Sequence, residues 1–157
     1  MTIEFYSTKH TYGEFSNFAP FAFTIDGLEY RTSEHYFQAM KFEDTEYQKK
    51  IRETKSPMIA ARLGRSRKVK IRDDWEEVKI DVMRAAVRSK FHAHDSLQEL
   101  LLATGEETIV EAAGRDYFWG AGKDRSGQNW LGKILMEIRD ELRESQTETA
   151  DKDHESK

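Results

Sequence analysis

Cysteine is absent from the 157 residues. Disulfides, thiol nucleophiles and thiolate metal sites are therefore excluded, and stability is independent of redox state. Proline occurs twice, and no apolar run approaches the roughly 20 residues needed to cross a bilayer. The N-terminus MTIEFYSTKH lacks a basic segment followed by an apolar one, so no signal peptide is expected and the chain is expected in the cytoplasm. Histidine is sparse: His92 and His94 are two apart, His10 and His154 lie near the ends, and there is no HExxH or dense histidine–carboxylate set. No metal is expected. His35 follows Glu34 directly, a poor ligand pair on a helix, and reads as a hydrogen-bonded packing residue. A dinucleotide fingerprint is also missing. The segment from Gly127 to Gly132 and Lys133 nearly matches a phosphate loop, but Ile134 stands where a magnesium-binding hydroxyl belongs. No cofactor is expected.

A net charge of -4 argues against an extended nonspecific nucleic-acid footprint. Against that background the run Arg62, Arg65, Arg67, Lys68, Lys70, Arg72 is locally basic and suits a small anionic ligand.

The local patterns predict an α+β domain, predominantly helical, with a small N-terminal β element. TIEFY (2–6) reads as a strand and FAFTIDGLEY (21–30) as a hairpin turning at Asp26-Gly27. From Ser33 the period becomes helical, with Thr32 or Ser33 as cap and Glu34, Phe37, Gln38 and Lys41 at i, i+3, i+4, i+7 on one face. A second helical segment breaks near Thr54. A third has Ser56 as cap, Pro57 at its first position and Gly64 as stop. The clearest long helix opens at Trp75, with Asp74 and Glu77 as a capping box and Val78, Val82, Met83, Ala86 and Val87 as its buried stripe. Asp95 caps another helix ending at Gly105, TIVEAA (108–113) reads as a strand, and the last helix is expected over about 129–144. The domain is expected over 1–144, with 145–157 a polar, disordered tail.

Two carboxylates stand in aromatic surroundings, Glu34 in TSEHYFQAMKF and Asp116 in GRDYFWG. With Trp75 and Trp119 they suit a ligand that combines a flat ring with a polar sugar. The indoles stack on the ring, while carboxylates bind hydroxyls, orient water or oppose positive charge at an anomeric carbon. Lys41, Arg62, Arg65, Arg115 and Lys123 are the candidates to meet a phosphate.

Five collinear blocks, FYSTKHTYGEFSNF (5–18), YRTSEHYFQAMKF (30–42), SPMIAARLGR (56–65), DDWEEVKIDVMRAAVRSKF (73–91) and GRDYFWGAGKDRSGQNWLGKILMEIR (114–139), together resemble the NADAR family, also called YbiA-like. The resemblance covers about residues 3–144 and implies a compact, mostly helical YbiA-like fold. It further implies an N-glycosidase that hydrolyses phosphoribosylated aminopyrimidine intermediates of riboflavin biosynthesis, a metabolite-damage activity releasing ribose 5-phosphate. Other branches are associated with ADP-ribosyl hydrolysis, including on guanine, and a non-catalytic nucleotide-sensing module is a third alternative. By resemblance the catalytic glutamate falls on Glu34, the DYFWG aspartate and tryptophan on Asp116 and Trp119, and the helix-opening tryptophan on Trp75. Asn129 is carried over as a substrate-binding residue. The expected partner is a small phosphorylated N-riboside, with no membrane. Glu34 is expected to share a pocket with Asp116.

Overall fold

The computed structural model describes residues 1–155, with side chains to Glu148. The chain divides into two compact units, one formed by residues 6–94 and the other by residues 1–5 with the chain from 95 onward.

In the unit of residues 6–94, β2 (Phe23–Ile25) and β3 (Leu28–Tyr30) pair antiparallel. Their turn sits at the expected dipeptide, with φ of 52° at Asp26 and 79° at Gly27, the left-handed pair that matches hairpin twist. Four helices follow: α1 (Ser33–Ala39), α2 (Thr45–Glu53), α3 (Pro57–Gly64) and α4 (Trp75–His92). Side-chain oxygens of Thr32, Asp44 and Ser56 cap the first three, accepting from the N–H groups of His35, Tyr47 and Met58. Phe23, Tyr30, Ala39, Phe42, Ile51, Ala60 and Ala86 form the core between these elements.

Two local expectations are corrected. Helix α1 stops at Ala39, so Lys41 lies beyond its last turn instead of on the face shared by Glu34, Phe37 and Gln38, all buried. Helix α3 ends at Gly64, as expected, and the missing side chain there makes room for Gln38, whose Cδ would lie 2.6 Å from an added Cβ. Asp74 makes no side-chain cap to α4. Arg72 binds its two oxygens at 2.6 and 3.0 Å, so the carboxylate is engaged by a bidentate pairing instead. The buried stripe of α4 extends to Lys90 and Phe91, while Val78 and Val82 are half-buried.

In the other unit, β1 (Thr2–Phe5) pairs parallel with β4 (Thr108–Glu111). Helix α5 (Asp95–Ala103) and helix α6 (Trp130–Glu155) complete it, with α6 packed on both β4 and α5. Leu131, Ile134, Leu135, Ile138 and Leu142 are buried at the i, i+3, i+4, i+7, i+11 spacing of one helix face. Helix α6 runs past the expected end near 144. The tail expected to be disordered falls mostly on residues whose side chains lie outside those described.

The start of α6 is tied to the sheet by Asn129. Its Oδ1 accepts from the N–H of Glu111 at 2.9 Å and its Nδ2 donates to the carbonyl of Ile109 at 2.9 Å, from a left-handed backbone with φ 55°. That conformation favours Asn and Gly over other residues. Asn129→Ala, which loses both bonds and strains the backbone, is expected to lower unfolding free energy by about 2–4 kcal/mol in denaturant titrations.

Candidate functional site

Glu34 occupies the second position of α1, where two backbone N–H groups that the helix leaves unbonded find acceptors elsewhere. The His35 N–H donates to Thr32 Oγ1 at 3.2 Å and the Glu34 N–H donates to the Asn17 carbonyl at 3.2 Å. Ser33 Oγ donates to Asn17 Oδ1 at 2.7 Å. The Glu34 carboxylate is buried and accepts from Gln38 Nε2 at 2.8 Å, one turn along. Gln38 Oε1 is buried without a hydrogen-bond partner among the described residues. His35 is fully buried and bonded at both ring nitrogens, to Thr32 Oγ1 at 2.8 Å and the Thr54 carbonyl at 2.9 Å, the packing role expected of it. Burial holds its pKa below the ordinary value, so the neutral ring that donates to Thr54 is favoured.

The same unit holds Trp75, buried, with its ring tilted against Phe37 at 5.0 Å. Lys41 donates to the Gly64 carbonyl at 2.9 Å. Burial lowers its pKa while the charge of Glu34 partly restores it. Lys41 also lines a surface cleft of about 640 Å³ together with Arg65, Ser66, Arg67 and Lys70. Arg62 is exposed and is not among the residues lining this cleft. Arg67 and Lys70 were visible in the sequence only as members of a basic run; the turn after α3 is what brings them to Lys41.

The remaining candidates lie in the other unit, in the irregular segment between β4 and α6. Asp116 is half-buried, and its Oδ1 accepts from the N–H groups of Phe118 at 3.0 Å and Trp119 at 2.8 Å, which fixes the turn presenting the aromatic residues. Trp119 is half-buried, with its ring edge-to-face against Phe118 at 4.8 Å. Trp130 lies under the Lys133 ammonium at 4.8 Å and packs at 6.5 Å from Phe118, so it is part of this aromatic support. Arg115 and Lys123 are exposed on the segment. Asn129 has its amide engaged with β4 as described, which makes it a clamp for the segment's far end. Among the described residues no group of three His, Asp or Glu is placed to hold a metal ion.

Sequence reasoning missed Glu111. It is buried at the end of β4, its Oε1 accepts from the Ala113 N–H at 3.1 Å, and burial, reinforced by the charge of Asp116, raises its pKa from 4.5 to about 7. A usable signal existed, because period-two alternation places Glu111 on the same strand face as Ile109, which is fully buried. A carboxyl whose pKa rises on folding binds more protons folded than unfolded between about 4.5 and 7. Its contribution is therefore complete below pH 4.5 and is lost as pH rises through about 7. Glu111→Gln, which keeps the shape without the ionisation, is expected to gain about 1–3 kcal/mol of unfolding free energy relative to wild type between those limits, read by denaturant titration at each pH.

The NADAR domain profile matches residues 4–143. This chain belongs to the NADAR family. Among NADAR relatives, N-glycosidase YbiA of Escherichia coli is 51% identical over 140 residues, 89% of this chain and 88% of the relative. N-glycosidase Npun_R5314 of Nostoc punctiforme is 44% identical, over 91% of this chain and 94% of its own. A riboflavin biosynthesis protein of Vibrio vulnificus is 41% identical over 90% of this chain, which matches 39% of that longer protein. The NMR structure of E. coli YbiA superposes with a TM-score of 0.88 at 49% identity, covering 94% of this chain and 88% of that one. The mostly helical α+β fold is thus the NADAR fold. The N-glycosidase class expected from the sequence is carried by relatives that match nearly the whole of both chains.

Proposed function

We propose that the protein hydrolyses the bond between ribose C1′ and nitrogen in a phosphoribosylated aminopyrimidine intermediate of riboflavin biosynthesis, releasing ribose 5-phosphate and the free pyrimidine. The observation that carries this reading is the proximity of a buried carboxylate to a basic cleft: Glu34 accepts from Gln38, Gln38 packs against Gly64, and Gly64 lines the cleft with Lys41, Arg65, Arg67 and Lys70. The names of the relatives agree with it, since they include N-glycosidases and riboflavin biosynthesis proteins.

In the proposed reaction water adds to C1′ as the C1′–N bond breaks, through a transition state with positive charge on the sugar. A carboxylate near C1′ lowers the barrier by opposing that charge or by taking the water proton, and Glu34 is given this role. Trp75, buried against Phe37, is proposed to form an aromatic wall for the pyrimidine. The cations of the cleft take the 5′-phosphate, where guanidinium and ammonium groups gain most from charge-assisted bonds. The reaction needs no co-substrate besides water.

The test is product analysis with freshly made phosphoribosylaminopyrimidine, its 5′-dephosphorylated counterpart and ADP-ribosylated guanosine. Release of ribose 5-phosphate from the first, with a KM at least tenfold higher for the second, supports the reading. Turnover of the ADP-ribosyl compound alone would assign the protein to ADP-ribosyl hydrolysis instead, and binding without turnover would make it a sensing module.

A further inference from the structure

Lys90 is a lysine with 1% of its surface exposed, on the inward face of α4. Its Nζ donates to the carbonyls of Glu14 at 2.6 Å and Ser16 at 2.9 Å, and lies 5.9 and 5.7 Å from the ring centroids of Phe21 and Phe91. Burying an ammonium is costly, and a methionine would fill the same space without that cost. What a methionine cannot do is bind two carbonyls of one turn. The turn is the short 3-10 segment Gly13–Phe15, closed by the Ser16 N–H donating to the Gly13 carbonyl at 3.0 Å.

The residue that follows this turn is Asn17. Its carbonyl accepts the Glu34 N–H at 3.2 Å, its Oδ1 accepts from Ser33 Oγ at 2.7 Å, and its Nδ2 donates to Met83 Sδ on α4 at 3.4 Å. The segment 14–17 is thus clamped to α4 at Lys90 and Met83 and to the first turn of α1 at Ser33 and Glu34. Helix α1 has seven residues, too few to hold its own direction without such anchors. We propose that Lys90 and Asn17 form a positioning relay, in which the buried ammonium fixes the 14–17 segment and Asn17 in turn fixes the backbone from which Glu34 presents its carboxylate. The proposal rests on the assignment of Glu34 to the hydrolysis. Neither residue is given a part in the chemistry itself; they act through Glu34, and a small displacement of a positioned group costs rate more than binding.

The test compares wild type, Lys90→Met, Asn17→Ala, the double variant and Leu97→Ala on the phosphoribosylaminopyrimidine, below the melting temperature of each. Leu97, buried in the other unit, controls for destabilisation. The expected result is a kcat loss of about tenfold or more in each single variant with KM within about threefold, a double variant no slower than about twofold below the worse single, and an unchanged kcat in Leu97→Ala. Folded Asn17→Ala and Lys90→Met proteins with kcat within twofold of wild type would overturn the relay, as would losses that multiply in the double variant. If Lys90→Met does not fold, Ser33→Ala paired with Asn17→Ala is judged by the same criteria. A wild type inert on every substrate overturns the hydrolase reading and the relay with it, whereas an active wild type with unaffected variants overturns the relay alone.

Discussion

Glu34→Ala is expected to lower kcat for ribose 5-phosphate release by about 10²–10⁴-fold, the range for a positioned acid–base or electrostatic group. The side chain is buried beside Gln38, so its removal takes away both the charge meant to oppose the transition state and the acceptor for Gln38 Nε2. The caps at the start of α1 involve backbone groups of Glu34 and His35 and survive the substitution, so the variant should fold. Circular dichroism and a melting curve alongside the kinetics separate lost chemistry from lost structure. A folded Glu34→Ala enzyme within about tenfold of wild type would remove Glu34 from the major role.

Gly64→Ala is expected to fold and yet lose at least about tenfold in kcat. Its position is the last of α3, where alanine is the better helix former by about 1 kcal/mol, so the backbone tolerates the change. The added methyl collides with Gln38 Oε1 and would stand 2.6 Å from Gln38 Cδ and 3.2 Å from its Cβ. The amide must move, and Glu34 loses the donor that orients it; overpacking of this kind costs about 1–3 kcal/mol, which in a transition state is roughly a tenfold to hundredfold rate effect. Gln38→Ala should relieve the collision, so the double variant Gly64→Ala/Gln38→Ala is expected to be no slower than Gln38→Ala alone. Unchanged kcat in Gly64→Ala would show that the Gln38–Glu34 bond does not orient the carboxylate.

Much of the local structure could be read along the chain. Asp26-Gly27 marked the hairpin because few other dipeptides accept two left-handed residues, and Thr32, Ser56 and Pro57 marked helix starts because caps and Pro act on their immediate neighbours. The Asp74–Glu77 capping box was a sound local signal, but Arg72, two residues upstream, takes both oxygens of the same carboxylate. Spacing put Lys41 on the α1 face with Glu34, but α1 ended a turn too soon, and Lys41 turned instead to the Gly64 carbonyl on α3. Asn129 showed the opposite difficulty. It entered by resemblance as a substrate contact, and its two bonds to β4, to residues 18 and 20 positions away, show in addition a backbone clamp that no local pattern announces.

The residue order alone established the elements, the family and the chemical types available: two carboxylates among aromatic rings, a basic run, and no thiol. These depend on interactions within a few residues, or on the recurrence of whole blocks, and both are carried by sequence. Which groups are desolvated was decided by tertiary packing. Lys90 is marked by no local pattern, and Glu111 only by its strand alternation; packing of α4 and β4 buries both, and burial shifts each toward neutrality, to about 7 in both cases. The cleft at Lys41 and the passage from Lys90 through Asn17 to Glu34 join residues up to 76 positions apart, and contacts over such separations leave no period in the chain by which to find them.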